Sequence, residues 1–188
     1  KIRSSIKFIK NFNLTSNKDY LKNNITNHLV GVEVGVLRGD HALKILSFLN
    51  IEKLYLVDPW KSYNDYNTNL PAGGTSQEDF EKFYHDVSKK FTNNTKVEII
   101  RDYSINASKK FDDQSLDFVY LDGDHSYENV KKDLETWYPK LKKFAVMCGD
   151  DYGHISGKGV IKAVTEFAFK NNILVSTGSD NQFWFVKT

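Results

Sequence analysis

Asp117-Phe-Val-Tyr-Leu-Asp122-Gly-Asp-His125 is an apolar run that ends in two carboxylates and an imidazole around one glycine. Phe118 to Leu121 predict a buried strand, since a short apolar run bounded by turn residues suits a strand covered on both faces. A second such run, Phe144-Ala-Val-Met-Cys148, ends in Gly149-Asp150-Asp151. In an open parallel sheet, ligands bind beyond the carboxyl ends of the strands, and neighbouring strands lie about 4.8 Å apart. Adjacent placement of these two strands brings Asp122, Asp150, Asp151 and His125 to one spot. Three carboxylates there repel one another unless a cation or a substrate compensates.

Strands and helices alternate outward from this stretch. Leu29 to Val34 predicts a first strand, and Ala42, Ile45, Leu46 and Leu49 fall at helical spacing behind it. Lys53 to Val57 predicts a second strand, ended by Asp58-Pro59. Residues 60–76 contain Pro71, Gly73, Gly74 and many polar residues, and predict a long loop of the kind that often serves as a lid. A helix over 77–91 puts Phe80, Phe83, Tyr84 and Val87 on one face. Val97 to Ile100 is the third strand, with Ser104 placed to cap a short helix. The fourth strand is 117–121, the next helix runs over about 127–138, and the fifth strand is 144–148. A helix over 159–170 and a strand pair at 173–176 and 182–187 close the chain. Residues 1–28 read as a helical lead-in and 29–188 as a single domain. The alternation predicts an α/β fold with a mostly parallel sheet, its last strand antiparallel.

At 188 residues the chain suits one domain that buries roughly 70% of its unfolded surface. Hydrophobic residues at 40% and charged residues at 27% are ordinary for a globular protein. A net charge of +2, with lysines interleaved among acids, provides no basic stripe for nucleic acid. Cys148, the single cysteine, excludes an internal disulfide and sits in an apolar run, as an inert buried thiol does. No run approaches the roughly 18 apolar residues of a membrane span. Residues 1–25 lack a signal-peptide core, which predicts a cytoplasmic protein. The start at Lys1 rather than Met suits either an excised domain or a trimmed product of something longer.

The first strand leads into Glu33-Val-Gly35-Val-Leu-Arg-Gly39. Glycines at a strand-to-helix turn let the backbone approach a ligand, yet the spacing is not the Gly-x-Gly-x-x-Gly of dinucleotide enzymes. Asp58 ends the second strand 58 − 35 = 23 residues after Gly35, close to the roughly 20-residue offset of a ribose-binding acid. Asp102-Tyr103-Ser104, after the third strand, is placed to line the adenine side. Asp and Ser there also serve as helix caps.

These residues together resemble the class I S-adenosylmethionine-dependent methyltransferases. Glu33-x-Gly35-x-x-x-Gly39 matches their first motif, Asp58 the acid ending their second strand, and the closing 173–187 hairpin their Rossmann-like seven-stranded sheet with helices on both faces. The resemblance covers residues 28–187. Within that superfamily, Asp122-Gly-x-His125 with Asp150-Asp151 resembles the metal-dependent sugar O-methyltransferases of the macrocin and mycinamicin type, although the acidic pair is Asp-Asp where those enzymes have Glu-Asp. Gly157-Lys-Gly159 resembles the helix start after their fifth strand.

The resemblance implies S-adenosyl-L-methionine as cofactor, bound by Glu33, Gly35, Gly39, Asp58, Asp102, Tyr103, Ser104 and Asp122. It implies Mg²⁺ (or Mn²⁺) on Asp122, Asp150 and Asp151, with Asp122 and His125 catalytic and His125 the general base. The acceptor is then a sugar or glycan hydroxyl in glycan biosynthesis, and glycosyltransferase domains are candidate neighbours in a longer chain.

Elementary chemistry agrees with these roles. A divalent cation lowers the pKa of a bound hydroxyl as it does that of water, carboxylates are the hard ligands such a cation takes, and a histidine with a pKa near 6.5 can accept the proton. Asp124 reads as a cap for the helix starting near Ser126. Tyr152, His154, Trp60, Tyr63 and Tyr66 are candidates for an acceptor wall, and Trp137 and Trp184 for the core. Three alternatives remain open: a catechol-like acceptor, a nicotinamide-dependent oxidoreductase, and a non-catalytic domain of a carbohydrate-assembly protein.

Overall fold

The computed structural model describes residues 28–62, 76–153, 157–178 and 181–188. The predicted lead-in before His28, Tyr63, Tyr66 and His154 lie outside the described residues. Seven strands form one sheet: β1 (Leu29–Val34), β2 (Ile51–Val57), β3 (Val97–Ile100), β4 (Leu116–Leu121), β5 (Leu141–Gly149), β6 (Ser176–Thr177) and β7 (Phe183–Val186). Their order is β3-β2-β1-β4-β5-β7-β6. The pairs from β3 to β5 are parallel, and β7 runs antiparallel to both β5 and β6. The fold is the expected Rossmann-like one.

Side chains alternate between two cores, as a sheet covered on both faces demands. Val119, Leu121, Ala145 and Met147 pack with α3 (Ser104–Ser108), α4 (Tyr127–Trp137) and α5 (Lys158–Lys170). Phe118, Tyr120, Val146 and Cys148 pack with α1 (Asp40–Phe48) and α2 (Gln77–Phe91). Trp137 and Trp184 are buried in these cores, and the Cys148 thiol points at the Val119 carbonyl. α2 starts in a capping box between Ser76 and Asp79, which satisfies two end groups of the helix at once.

Register is what positions the site. Ile100, Val57, Val34, Leu121 and Gly149 are successive partners across five strands. The residues that follow them are Arg101, Asp58, Gly35, Asp122 and Asp150, so these emerge side by side along one edge. Strand order reverses between β1 and β4, which makes that edge the switch point where α/β sheets bind ligands.

Two boundaries differ from the sequence expectation. β5 begins at Leu141, because Lys142 is held to Asp117 of β4 at 2.9 Å and Leu141 pairs with Leu116 across a register shift. Lys142 and Lys143 at the start of the strand carry no apolar signal. The strand expected at 173–176 reduces to Ser176–Thr177, since Ile173 instead hydrogen-bonds back to Ala168 at the end of α5.

Candidate active site

A cavity of about 740 Å³ opens at the switch point, between the carboxyl ends of β1, β2 and β4. That volume lies within the range of cofactor pockets. Gly35 and Gly39 both sit at positive φ, +85° and +72°, where side chains with a Cβ are disfavoured. A Cβ on Gly35 would lie 2.0 Å from the Asp122 carbonyl oxygen, and one on Gly39 3.0 Å from the Phe91 ring. Gly35 therefore lets the β1 loop cross the end of β4, and Gly39 lets α1 start against α2.

Asp58 holds this loop in place. One of its oxygens accepts the Val36 and Leu37 N–H groups at 2.8 and 3.0 Å, and the other accepts Trp60 N–H at 2.7 Å. Burial raises its pKa against the effect of these bonds and of Arg101. Acceptor capacity remains, because each carboxylate oxygen has two lone pairs. Glu33 is fully buried beneath the loop, 3.0 Å from His41 Nδ1. The His41 ring packs on Tyr120 with centroids 4.0 Å apart.

His125 joins the two acidic strand ends. Its Nδ1 lies 2.6 Å from Asp151 Oδ2 and its Nε2 3.5 Å from Asp122 Oδ1. Burial disfavours the imidazolium, but the nearby Asp122 carboxylate and the charges of Asp151 and Asp124 outweigh it and raise the pKa. Asp151 adopts φ +60°, and its N–H is held by Asp150 Oδ1 at 2.8 Å. Burial, aided by repulsion from Asp122 and Asp151, raises the Asp150 pKa. Asp124 accepts the Ser126 N–H at 2.7 Å and so serves the entry to α4.

A family profile described as a methyltransferase domain matches residues 32–152, the span from β1 to just past Asp151. The chain belongs to that family. These are class I methyltransferases that use S-adenosylmethionine. The O-methyltransferase NovP superposes with a TM-score of 0.62 at 20% identity, over 91% of this chain and 76% of that one. A putative caffeoyl-CoA O-methyltransferase from Staphylococcus aureus gives 0.61 at 14% identity, covering 100% and 91%. The spermidine synthase of Thermotoga maritima gives 0.60 at 12%, and the chain covers 93% of itself but spans only 58% of that protein. No protein of curated function matches the sequence.

The methyltransferase cavity is lined by Glu33, Gly35, Asp58, Tyr103, Ser104, Asp122, His125 and Asp151 among the predicted residues. Asp102 stands apart, beside Arg101 in an adjoining recess, where its Oδ1 accepts the Tyr103 N–H at 2.8 Å. Ser104 opens α3, but its hydroxyl makes no cap bond. It donates to Asp133 at 2.5 Å and accepts from Trp137 Nε1 at 2.8 Å.

One expectation is corrected. Trp60 is not part of an acceptor wall: it is fully buried, its Nε1 donates to the Leu37 carbonyl at 2.9 Å, and its ring packs on Tyr84. A buried indole needs a partner for its N–H, and the β1 loop supplies it. Asp122, expected with Asp150 and Asp151 to hold a metal, follows β4, and the other two follow β5. Among the described residues no three His, Cys, Asp or Glu side chains are gathered as ligands. Instead the imidazole of His125 bridges Asp122 and Asp151, while Asp150 turns back to the Asp151 backbone. The donor chemistry suits a hard cation.

His41 and Asp133 also line the cavity and were not assigned from sequence. Asp133 did carry a signal, a carboxylate on the same helical face as Val130, Leu134 and Trp137. Tyr152 is half-buried against Phe183, outside the cavity lining. Among the described residues no helix is long and apolar enough to cross a membrane.

Proposed function

We propose that this methyltransferase transfers the methyl group of S-adenosylmethionine to a hydroxyl of a sugar or glycan, with His125 as general base. The observation that carries this is the imidazole held between Asp122 and Asp151, 3.5 and 2.6 Å away, on the cavity wall. A hydroxyl keeps its proton at neutral pH and needs a base within hydrogen-bond reach before it can attack. The bound cofactor supplies an electrophilic methyl group on a sulfonium.

The chain's residues do the rest. Asp58 holds the β1 loop by three N–H groups and keeps acceptor capacity for ribose hydroxyls. Gly35 and Gly39 set the loop's path, and Tyr103 and Ser104 line the base side. Asp151 fixes the ring of His125, and the two flanking carboxylates stabilise the imidazolium once it has taken the proton. The likeness of Asp122-Gly-x-His125 and Asp150-Asp151 to the macrocin-type enzymes supports a sugar over a catechol. Family membership sets aside the nicotinamide-dependent alternative. Structural neighbours include an rRNA methylase from Streptococcus thermophilus, but a net charge of +2 offers little attraction for RNA phosphates.

A requirement for Mg²⁺ or Mn²⁺ is a second reading. It is favoured by the charges of Asp122 and Asp151, which add to burial in raising Asp150. Asp122, Asp150 and Asp151 would hold the ion, which would stabilise an acceptor alkoxide.

The test is transfer of label from methyl-tritiated S-adenosylmethionine to sugar nucleotides, glycosides and catechols, with and without EDTA. Label on a sugar hydroxyl, lost in a His125→Ala variant that still binds S-adenosylhomocysteine, supports the proposal. Full activity in that variant removes His125 as base. Full activity in excess EDTA removes the metal.

A further inference from the structure

We propose that Asp133 reads the nucleobase of the cofactor, its carboxylate accepting the 6-amino group of adenine and so selecting adenine over a 6-oxo purine. This rests on the S-adenosylmethionine reading above. Asp133 is 8% exposed, within the apolar face of α4, yet it lines the cavity beside Tyr103, Ser104 and Asn129. These residues follow β3 and β4. A nucleoside whose ribose meets Asp58 at the end of β2 lays its base toward them, one strand further along the row.

The hydrogen bonds around Asp133 have a fixed direction. An indole N–H only donates. Trp137 Nε1 therefore makes Ser104 Oγ an acceptor, at 2.8 Å, and the Ser104 proton is left for Asp133 Oδ1, at 2.5 Å. Oδ1 is fixed as an acceptor. Among the described residues no other hydrogen bond reaches this carboxylate, and no cation offsets its charge.

A buried carboxylate with one neutral donor is costly unless another donor arrives. Burial, and to a lesser extent the Asp124 charge, push its pKa up to about 6, which records that deficit. The cavity is the side from which a further donor can come. Adenine brings an N–H there. A 6-oxo purine brings a second acceptor, and a site built to hydrogen-bond an N–H rejects an analogue without it.

The chain of bonds also predicts the effect of Asp133→Asn. The Asn carbonyl must take the Ser104 proton, since Trp137 leaves Ser104 no other role. The Asn amide N–H₂ then faces the base and suits a 6-oxo group.

The experiment is calorimetric titration of S-adenosylhomocysteine and S-inosylhomocysteine into the wild-type chain and the D133N variant, with thermal melts of both. Wild type is expected to favour the adenosyl ligand by roughly ten- to a hundredfold, the range of a hydrogen bond to a charged group. In D133N the ratio should move toward the inosyl ligand by at least about tenfold. Equal wild-type affinities overturn the inference even if D133N does not fold. An unchanged ratio in a folded D133N also overturns it, while the methyltransferase reading stands. Failure of wild type to bind either ligand overturns that reading, and the inference with it.

Discussion

Replacing Gly35 by Ala is expected to destabilise the protein by about 2–5 kcal/mol. Two penalties make up that figure. Gly35 sits at φ +85°, a conformation that costs a residue with a Cβ about 1–2 kcal/mol. The new Cβ would also lie 2.0 Å from the Asp122 carbonyl oxygen and 2.4 Å from its carbon. Both atoms are backbone, so no side chain can swing aside. Overpacking of this kind costs about 1–3 kcal/mol. The joint is tied on both sides, Gly35 N–H to the Val57 carbonyl at 2.9 Å and Asp122 N–H to the Val34 carbonyl at 2.8 Å, so the strands part only by losing these bonds. Gly123→Ala is the internal control. A Cβ there meets only Val34 Cγ1 at 3.8 Å, an ordinary contact, and should change stability by less than about 1 kcal/mol. Urea unfolding followed by tryptophan fluorescence measures both variants. A Gly35→Ala cost under about 1 kcal/mol, or an equal cost for the two, would refute the argument that the β1 loop and the end of β4 are locked together.

Transfer activity should rise with pH through a value above the ordinary 6.5 of histidine, because His125 is raised and must be neutral to accept a proton. Asp151→Asn removes one of the charges that raise it, so the profile should move to lower pH; an unmoved profile would remove Asp151 as the partner of the base. Asp133 gives a different dependence. Its pKa is about 6 in the folded chain against 3.8 for the free side chain, a gap worth about 3 kcal/mol. The raised value means that this group adds stability as pH falls from about 6 toward 3.8 and adds none at neutral pH. Urea unfolding at pH 7 and pH 4.5 should show that gain in wild type relative to D133N, and parallel pH curves would contradict it.

Much of the site was legible because parallel strands put their following residues in a row. Apolar runs ending in Asp58, Asp122 and Asp150-Asp151 marked the strand ends, and the register of β2, β1, β4 and β5 brought them together. What a linear pattern does not carry is the use to which each side chain is put. Trp60 looked like a wall residue because it opens a polar loop, but its N–H is claimed by Leu37, distant in sequence and close only because Asp58 draws the β1 loop over it. The acidic residues suggested a cation, and their spacing does not reveal that His125, in the turn before α4, lies between Asp122 and Asp151. Ser104 read as a cap because caps are local. Its actual partners, Asp133 and Trp137, lie a helix away. Lys142 and Lys143 interrupt any apolar periodicity at the start of β5, so that start left no trace in the sequence.

A cavity at the β1–β4 switch point built for S-adenosylmethionine must bind its demethylated product. Calorimetric titration with S-adenosylhomocysteine, run beside NAD, tests it most directly. One S-adenosylhomocysteine is expected per chain, with binding lost or sharply weakened in Asp58→Ala and no comparable binding of NAD. Absence of S-adenosylhomocysteine binding, or NAD binding of equal strength, would contradict it.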